Sequence, residues 1–350
     1  MDLYDAIPKV ELHCHVEGTV RASTVVDLAR RNRRRLPTDD PTELYRYDSL
    51  DSFLKIFWLV QELISDREAW ARVAYESVVD GALHGLRYRE AFFTPARHLA
   101  AGQSLGEIVS GLSEGLEAAE RETEVPCRLI CDIDRAYGVA AAVTLVEQLV
   151  ELRRHGKADA VIGLGMDSTE RGVDLRELVP AYDVARRAGL RLTGHAGEDA
   201  AVGPENIAIA LEALGLERID HGVAIVEDEA LLRRVADARI PLTTCPTSNV
   251  VVANRFPSLA DHPFRRMREA GLLVTLNTDD PAMIGLDLGQ EYRSVAAAQG
   301  LSFDDMRAVA LDGVEASWLD ESEKESMRAA FSEELAALGE VGSRERSSPP

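Results

Sequence analysis

The segment Lys9-Val10-Glu11-Leu12-His13-Cys14-His15-Val16-Glu17-Gly18 carries a strand and a metal-ligand pattern together. Its first four residues alternate and include a β-branched valine, the character of a β-strand. Side chains two apart leave the same face of a strand, so His13 and His15 point together and Cys14 points away. Two imidazoles side by side at a strand end can share a metal ion. With eight histidines in 350 residues, chance alone puts a His-x-His in roughly one such chain in five, so the pair by itself is a weak motif. Three later stretches give it weight: His195-Ala196-Gly197-Glu198, Asp220-His221-Gly222 and Asn277-Thr278-Asp279-Asp280-Pro281.

Outward from this strand, short apolar runs bounded by turn residues recur at 10–13, 87–93, 128–133, 161–166, 191–195, 218–221, 241–244 and 273–278. The wider apolar spacing of helices fills 104–122, 139–155, 175–188, 204–214, 228–238 and 263–270. Strands alternating with helices imply a parallel sheet, and eight units predict an α/β fold of the (β/α)8 barrel type. An open doubly wound sheet is the weaker alternative, because no Gly-rich phosphate loop follows the first strand. In such a barrel the site lies at the carboxyl ends of the strands. His13 and His15 end the first strand, His195 the fifth, His221 the sixth, and Asp279 the eighth. His84, His98, His155 and His262 fall in helices or connectors and are read as structural.

About seventy residues separate the first two strands, far beyond an ordinary crossover. This insertion predicts a helical lid at about 36–83 over the barrel mouth. Its aromatics Phe53, Phe57 and Trp58 read as core before they read as pocket. The domain is expected to span 1–338, with a disordered tail at 339–350 that is rich in Gly, Ser, Pro and charge.

A net charge of −21 disfavours nucleic acid as a partner. The basic run Arg30, Arg31, Arg33, Arg34 and Arg35 follows an apolar helical pattern and reads as a solvated helix end. The four cysteines, Cys14, Cys127, Cys131 and Cys245, form no disulfide framework. No apolar run approaches the ~20 residues of a membrane span, and the acidic start Met1-Asp2-Leu3-Tyr4-Asp5 lacks the features of a signal peptide. A soluble, cytoplasmic protein without a membrane partner is expected; oligomeric state is not legible.

Several histidines with one carboxylate suit zinc or a similar divalent ion. Such an ion lowers the pKa of a bound water to about 7, making hydroxide available at neutral pH. Glu198, just past Gly197, is placed to carry a proton. His221 can orient the attacking oxygen. Of the adjacent pair Asp279 and Asp280, one can ligate while the other faces substrate; the alternative for the pair is a helix N-cap before Ala282.

Pro8-Lys9-Val10-Glu11-Leu12-His13-Cys14-His15, His195-Ala196-Gly197-Glu198, Cys245-Pro246-Thr247-Ser248-Asn249 and Leu276-Asn277-Thr278-Asp279-Asp280-Pro281 resemble the adenosine and adenine deaminase family of metal-dependent amidohydrolases. The likeness runs from about residue 8 to 335. It implies a barrel with one zinc ion per chain, bound by His13, His15, His195 and Asp279. It implies that Glu198 protonates purine N1, that His221 assists attack by water at C6, and that Asp280 accepts a hydrogen bond from the imidazole part of the ring. The partner is then a small purine nucleoside or base, and ammonia leaves. The P-C-x-x-C signature of the Cys-ligated deaminases is absent.

Two departures bear on substrate. Glu17 stands where adenosine deaminases usually carry an aspartate at the ribose. Met166-Asp167-Ser168-Thr169-Glu170 stands in place of L-A-G-D-E, so Ser168 replaces the glycine whose amide reaches the purine. Both resemble the adenine deaminase branch and its relatives acting on modified adenosines, including aminodeoxyfutalosine. Another amidohydrolase reaction fits the barrel too, but the lysines Lys9, Lys55, Lys157 and Lys324 offer no bridging ligand near the strand ends. An inactive zinc-stabilised barrel would have lost a ligand or the acid, and none is missing. The purified protein is expected to hold about one tightly bound divalent metal per chain and to lose turnover with chelator. Metal analysis beside activity checks this, and a metal-free, fully active preparation would refute it.

Overall fold

The computed structural model describes residues 2–38, 40–47 and 50–347. Nine parallel strands form two runs, β1 (Lys9–Glu11), β2 (Leu86–Phe93), β3 (Cys127–Asp134), β4 (Val161–Asp167) and β5 (Arg191–Leu192), then β6 (His195–Ala196), β7 (Ile219–His221), β8 (Leu242–Thr244) and β9 (Val274–Leu276). Backbone bonds join the runs at both seams. On one side Thr193 N–H donates to the Leu164 carbonyl and Asp220 N–H to that of Gly194, each at 3.0 Å. On the other, Asp279 N–H reaches the His13 carbonyl at 3.1 Å and His15 N–H reaches that of Asp279 at 2.9 Å. The eight expected strands therefore close into a barrel. The fifth is divided into β5 and β6 at Thr193, whose carbonyl leaves the ladder. Its carbonyl accepts from the Tyr182 hydroxyl, and its own hydroxyl bonds Asp220.

The seam between β1 and β9 depends on buried side chains. Glu11 Oε1 accepts from the Thr278 amide at 3.1 Å and hydroxyl at 2.6 Å, while its Oε2 accepts from Arg89 Nε on β2 at 2.7 Å. Asn277 Oδ1 accepts from Leu12 N–H at 2.8 Å. His13, His15, Thr278 and Asp279 lie just past the ends of these strands, so the same bonds aim the residues of the mouth. A second buried ion pair, Arg218 with Glu90, crosses the barrel interior under Trp318.

The insertion after β1 is helical, with helices Pro41–Leu44, Leu50–Leu63 and Arg67–Ala82. The last of these belongs to the barrel wall, not to a lid. It packs backbone-close on helix Leu105–Thr123, where a Cβ on Gly111 would meet the Arg67 carbonyl oxygen at 2.4 Å and one on Gly115 would meet that of Ala71 at 2.1 Å. Ahead of it in the chain lie the helices Pro41–Leu44 and Leu50–Leu63. There Tyr45 donates its hydroxyl to the Val20 carbonyl. Phe53 is buried against Tyr47, whereas Phe57 and Trp58 are half-buried.

The final helix, Glu321–Ser347, continues through 339–347, where a disordered tail was expected. That stretch holds helix-favouring Glu and Arg and no proline before Pro349; residues 348–350 lie outside the described residues. No helix among the described residues is long and apolar enough to cross a membrane.

Replacing Glu11 with glutamine leaves the Arg89 guanidinium buried without its counter-charge. Loss of one partner of a buried pair costs about 3–5 kcal/mol. Glu11→Gln is expected to unfold at clearly lower denaturant than wild type; an unchanged midpoint would show that the seam does not depend on this carboxylate.

Candidate active site

Four side chains converge where the strands end. Donor atoms of His13, His195, His221 and Asp279 all lie within 4.8 Å of one another, and all four residues are buried. His13 Nε2 and His15 Nε2 each stand 3.4 Å from Asp279 Oδ1, and His15 Nε2 is 3.3 Å from His195 Nε2. His221 Nε2 is 3.9 Å from Asp279 Oδ2 and 3.6 Å from Glu198 Oε1. The expected ligands are thus together, and His221 joins the cluster from the side of Glu198. Cys14 points away and pairs with Asp279 through the backbone.

Local bonds fix which nitrogen each ring offers. Thr243 gives its hydroxyl hydrogen to Asp220 Oδ1 at 2.8 Å, so its oxygen accepts from His13 Nδ1 at 3.0 Å and leaves Nε2 bare. His195 Nδ1 donates to the Met166 carbonyl at 2.9 Å, with the same result. His13 Nε2 is buried with no partner. Burial pushes His15 down to about 4 and His195 well below its ordinary range, so both stay neutral at pH 7. Burial opposes ionisation of Asp279, but the surrounding histidines, His13 first, hold its carboxyl well below the usual range. Neutral imidazoles, bare nitrogens and an ionised carboxylate are a donor set that fits zinc.

The backbone at the mouth is strained. His221, Asp279 and Ser168 have φ of +56°, +66° and +73°, a left-handed region that favours glycine. Such outliers persist where surrounding structure over-determines them, commonly at active sites. Ser168 thus adopts a backbone conformation that glycine enters at no steric cost. Arg135 holds this turn by donating to the carbonyls of Asp167 and His195, each at 2.7 Å, and to that of Ser168.

Glu198 sits on a loop clamped from two sides. Buried Glu170 accepts from the amides of Gly197 and Glu198 at 2.8 Å, of Asp199 at 3.1 Å, and from Asn206 Nδ2 at 3.0 Å. Arg255 takes the opposite polarity, donating to the Asp199 carbonyl at 2.6 Å and that of Glu198 at 3.3 Å. Gly197, at φ +74°, has room for no side chain, since a Cβ would meet Ile207 at 2.8 Å. Burial, and then the charge of Asp279, pushes the Glu198 carboxyl well above its usual range.

On the other flank Glu17 is 1% exposed, although Val16–Thr19 has become a 3₁₀ turn. Its Oε1 accepts from Thr94 N–H at 2.8 Å, and its Oε2 is buried without a partner. Burial pushes this carboxyl up to about 7. Asp280 precedes the short helix Pro281–Ile284 but makes no capping bond; its Oδ1 is buried and unpaired. Gly18 allows this approach, because a Cβ there would meet Asp280 Oδ1 at 1.9 Å. Burial raises the phenols of Tyr45 and Tyr47 above their ordinary values, with smaller contributions from the charge of Tyr47 at Tyr45 and from Asp280 at both.

Several of these residues escaped the sequence reading. Asp132, two residues before the end of β3, and Asp167, the last residue of β4, group with His15. Asp132 is fully buried with neither oxygen bonded, and Asp167 accepts from Thr94 Oγ1 at 2.5 Å. Their position at the carboxyl ends of barrel strands was the available signal. The Glu170 and Arg255 clamps carried none, because most of their partners are backbone groups.

A parallel barrel presenting buried histidines and an aspartate at one mouth defines a metal-dependent hydrolase. The family pattern described as adenosine deaminase matches residues 8–333. The chain is 36% identical to the adenine deaminase of Streptomyces coelicolor over 95% of its own length and 97% of that protein. It is 37% identical to the adenosine deaminase of Klebsiella pneumoniae over 92% and 97%. An amidohydrolase from Burkholderia ambifaria, solved with bound zinc, superposes with a TM-score of 0.88 at 29% identity, covering 97% of this chain and 93% of that one. The chain belongs to the adenosine deaminase family and is a metal-dependent aminohydrolase.

Glu170→Gln replaces one acceptor oxygen by an amide NH2, which only donates, facing backbone N–H groups, and leaves buried donors unmet at about 1–3 kcal/mol. The variant is expected to lose stability by that amount in chemical denaturation and to lower kcat more than KM. Wild-type values of both would refute the clamp.

Proposed function

We propose that the enzyme hydrolyses the 6-amino group of the free base adenine, giving hypoxanthine and ammonia, with one zinc ion per chain. The observation that carries this reading is a pair of buried, unpartnered carboxylate oxygens, Glu17 Oε2 and Asp280 Oδ1. A free base brings an imidazole N–H that one carboxyl oxygen accepts, and a ring nitrogen that accepts from a carboxyl holding its hydrogen, as burial favours for Glu17; a nucleoside carries a sugar at N9 instead. Buried polar groups built for a hydrogen bond discriminate strongly against a ligand that lacks it.

In this reading His13, His15, His195 and Asp279 hold the zinc. When bound, zinc supplies a Lewis acid that makes water nucleophilic near pH 7. Glu198, kept protonated by burial and by Asp279, delivers its proton to N1 and renders C6 electrophilic. His221 directs Nε2 at the attacking oxygen from the side of Glu198. Asp280 accepts from the imidazole N–H, Glu17 closes the space beyond it, and the Ser168 amide faces the pyrimidine edge. The protein is one domain over 1–338, its lid limited to about 36–64, and the four buried free cysteines suit the cytoplasm. The substrate side holds small molecules and water, with no nucleic acid or membrane partner.

The second reading is adenosine, favoured by the identity to the Klebsiella enzyme. Ammonia release from adenine, adenosine, deoxyadenosine and aminodeoxyfutalosine separates the two. Adenine is expected to show the highest kcat/KM. Glu17→Asp, shorter by one methylene, is expected to shift the adenosine-to-adenine ratio toward adenosine by about ten-fold with metal content intact. Preference for adenosine in the wild type, or an unchanged ratio in the variant, would overturn the free-base reading.

A further inference from the structure

His221 has a neighbour that the sequence placed among purely structural histidines. The Phe264 amide donates to His262 Nδ1 at 3.1 Å, and a backbone N–H can only donate. His262 Nδ1 is therefore bare, and in the neutral ring the hydrogen sits on Nε2. That nitrogen lies 3.1 Å from Asn249 Oδ1, which must accept from it. The amide of Asn249 is thereby oriented, and its Nδ2 faces His221 Nδ1 at 3.1 Å. Since Nδ2 only donates, His221 Nδ1 is the acceptor, and the His221 hydrogen is left on Nε2. All three side chains are buried, at 3%, 0% and 1% exposure for His262, Asn249 and His221. His262 is further held edge-on against Phe256, ring centres 4.9 Å apart.

We propose that this relay, from Phe264 N–H through His262 and Asn249, sets the Nε2–H tautomer of His221, so that Asn249 and His262 are positioning residues of the reaction. Each ring accepts a hydrogen bond at Nδ1, so each carries a single hydrogen and is neutral. The polarity is opposite to that of His13 and His195, whose Nδ1 atoms donate and whose Nε2 atoms are bare. His221 Nε2 makes no hydrogen bond within the protein, Glu198 Oε1 standing at 3.6 Å, and it presents its hydrogen to the site. It offers an N–H to an oxygen there and no lone pair to a metal. The fourth ligand position next to Asp279 then falls to His15, not to His221. The inference rests on the reading of His221 as the residue facing the attacking oxygen.

Long-range ¹H–¹⁵N correlation spectra of histidine-labelled, zinc-loaded enzyme read the tautomer directly, whatever base the enzyme prefers. Wild-type His221 is expected to carry its hydrogen on Nε2. Asn249→Asp can only accept, so it should draw the hydrogen to Nδ1 and lower kcat by ~10² or more, the scale of a wrong catalytic tautomer. His262→Leu should lower kcat by ~10–100-fold, whereas His262→Gln should stay within about three-fold of wild type. Glutamine can accept from Phe264 and donate to Asn249, as the imidazole does. An Nδ1–H tautomer in the wild type would overturn the relay, as would Asn249→Asp with unchanged tautomer and kcat. Should Asn249→Asp fail to fold, equal losses in the leucine and glutamine variants would do so. A wild-type Nε2–H signal with adenosine preferred over adenine would sink only the substrate assignment.

Discussion

The carboxylate of Glu11 joins three strands at once. It takes the amide and hydroxyl of Thr278 with one oxygen and the Arg89 guanidinium with the other. A parallel barrel must bring its last strand beside its first, and here the strands themselves are only three residues long at that seam. So short a ladder contributes few backbone bonds. A charged, fully buried network supplies the register instead, and it is sensitive to loss of any member. The side chains of the site begin one or two positions past this network. His13, His15 and Asp279 are thus aimed by the same contacts that close the barrel.

Around the cluster, the outer hydrogen bonds do more than hold rings still. Thr243 and the Met166 carbonyl take hydrogens from His13 and His195, which frees the nitrogens directed at Asp279. Asn249 gives a hydrogen to His221 and reverses the outcome. Three chemically identical imidazoles thereby acquire different abilities from groups that touch no ligand. This is the ordinary means by which a second layer tunes a metal site.

The mouth also concentrates carboxylates: Glu17, Asp132 and Asp280 are buried and Asp167 is half-buried. Desolvation drives each toward its neutral form. Arg135 is a cation acting on Asp132, Asp167 and Glu198, yet its hydrogen bonds go to backbone carbonyls. It steadies the strained turn at Ser168 and offsets acidic charge without neutralising any one carboxyl by direct pairing. Such unmatched groups lower stability, and they persist where a polar ligand meets them.

Much of this was legible in residue order. Strand and helix periods differ, so the alternation of the two announced a barrel, and the side-chain rule for strands put His13 and His15 on one face and Cys14 on the other. The convergence of His195, His221 and Asp279 followed from their places at strand ends. The extent of the lid was not legible, because Gly111 and Gly115 bind the helix Arg67–Ala82 to the wall through contacts that depend on a partner forty residues away. Nor was the relay through His262, which is distant from His221 in the chain and recognisable only from the direction of a backbone N–H. Spacing along a chain reports local geometry, and so it names the ligands. Which nitrogen each ligand offers is decided by neighbours that only folding brings into reach.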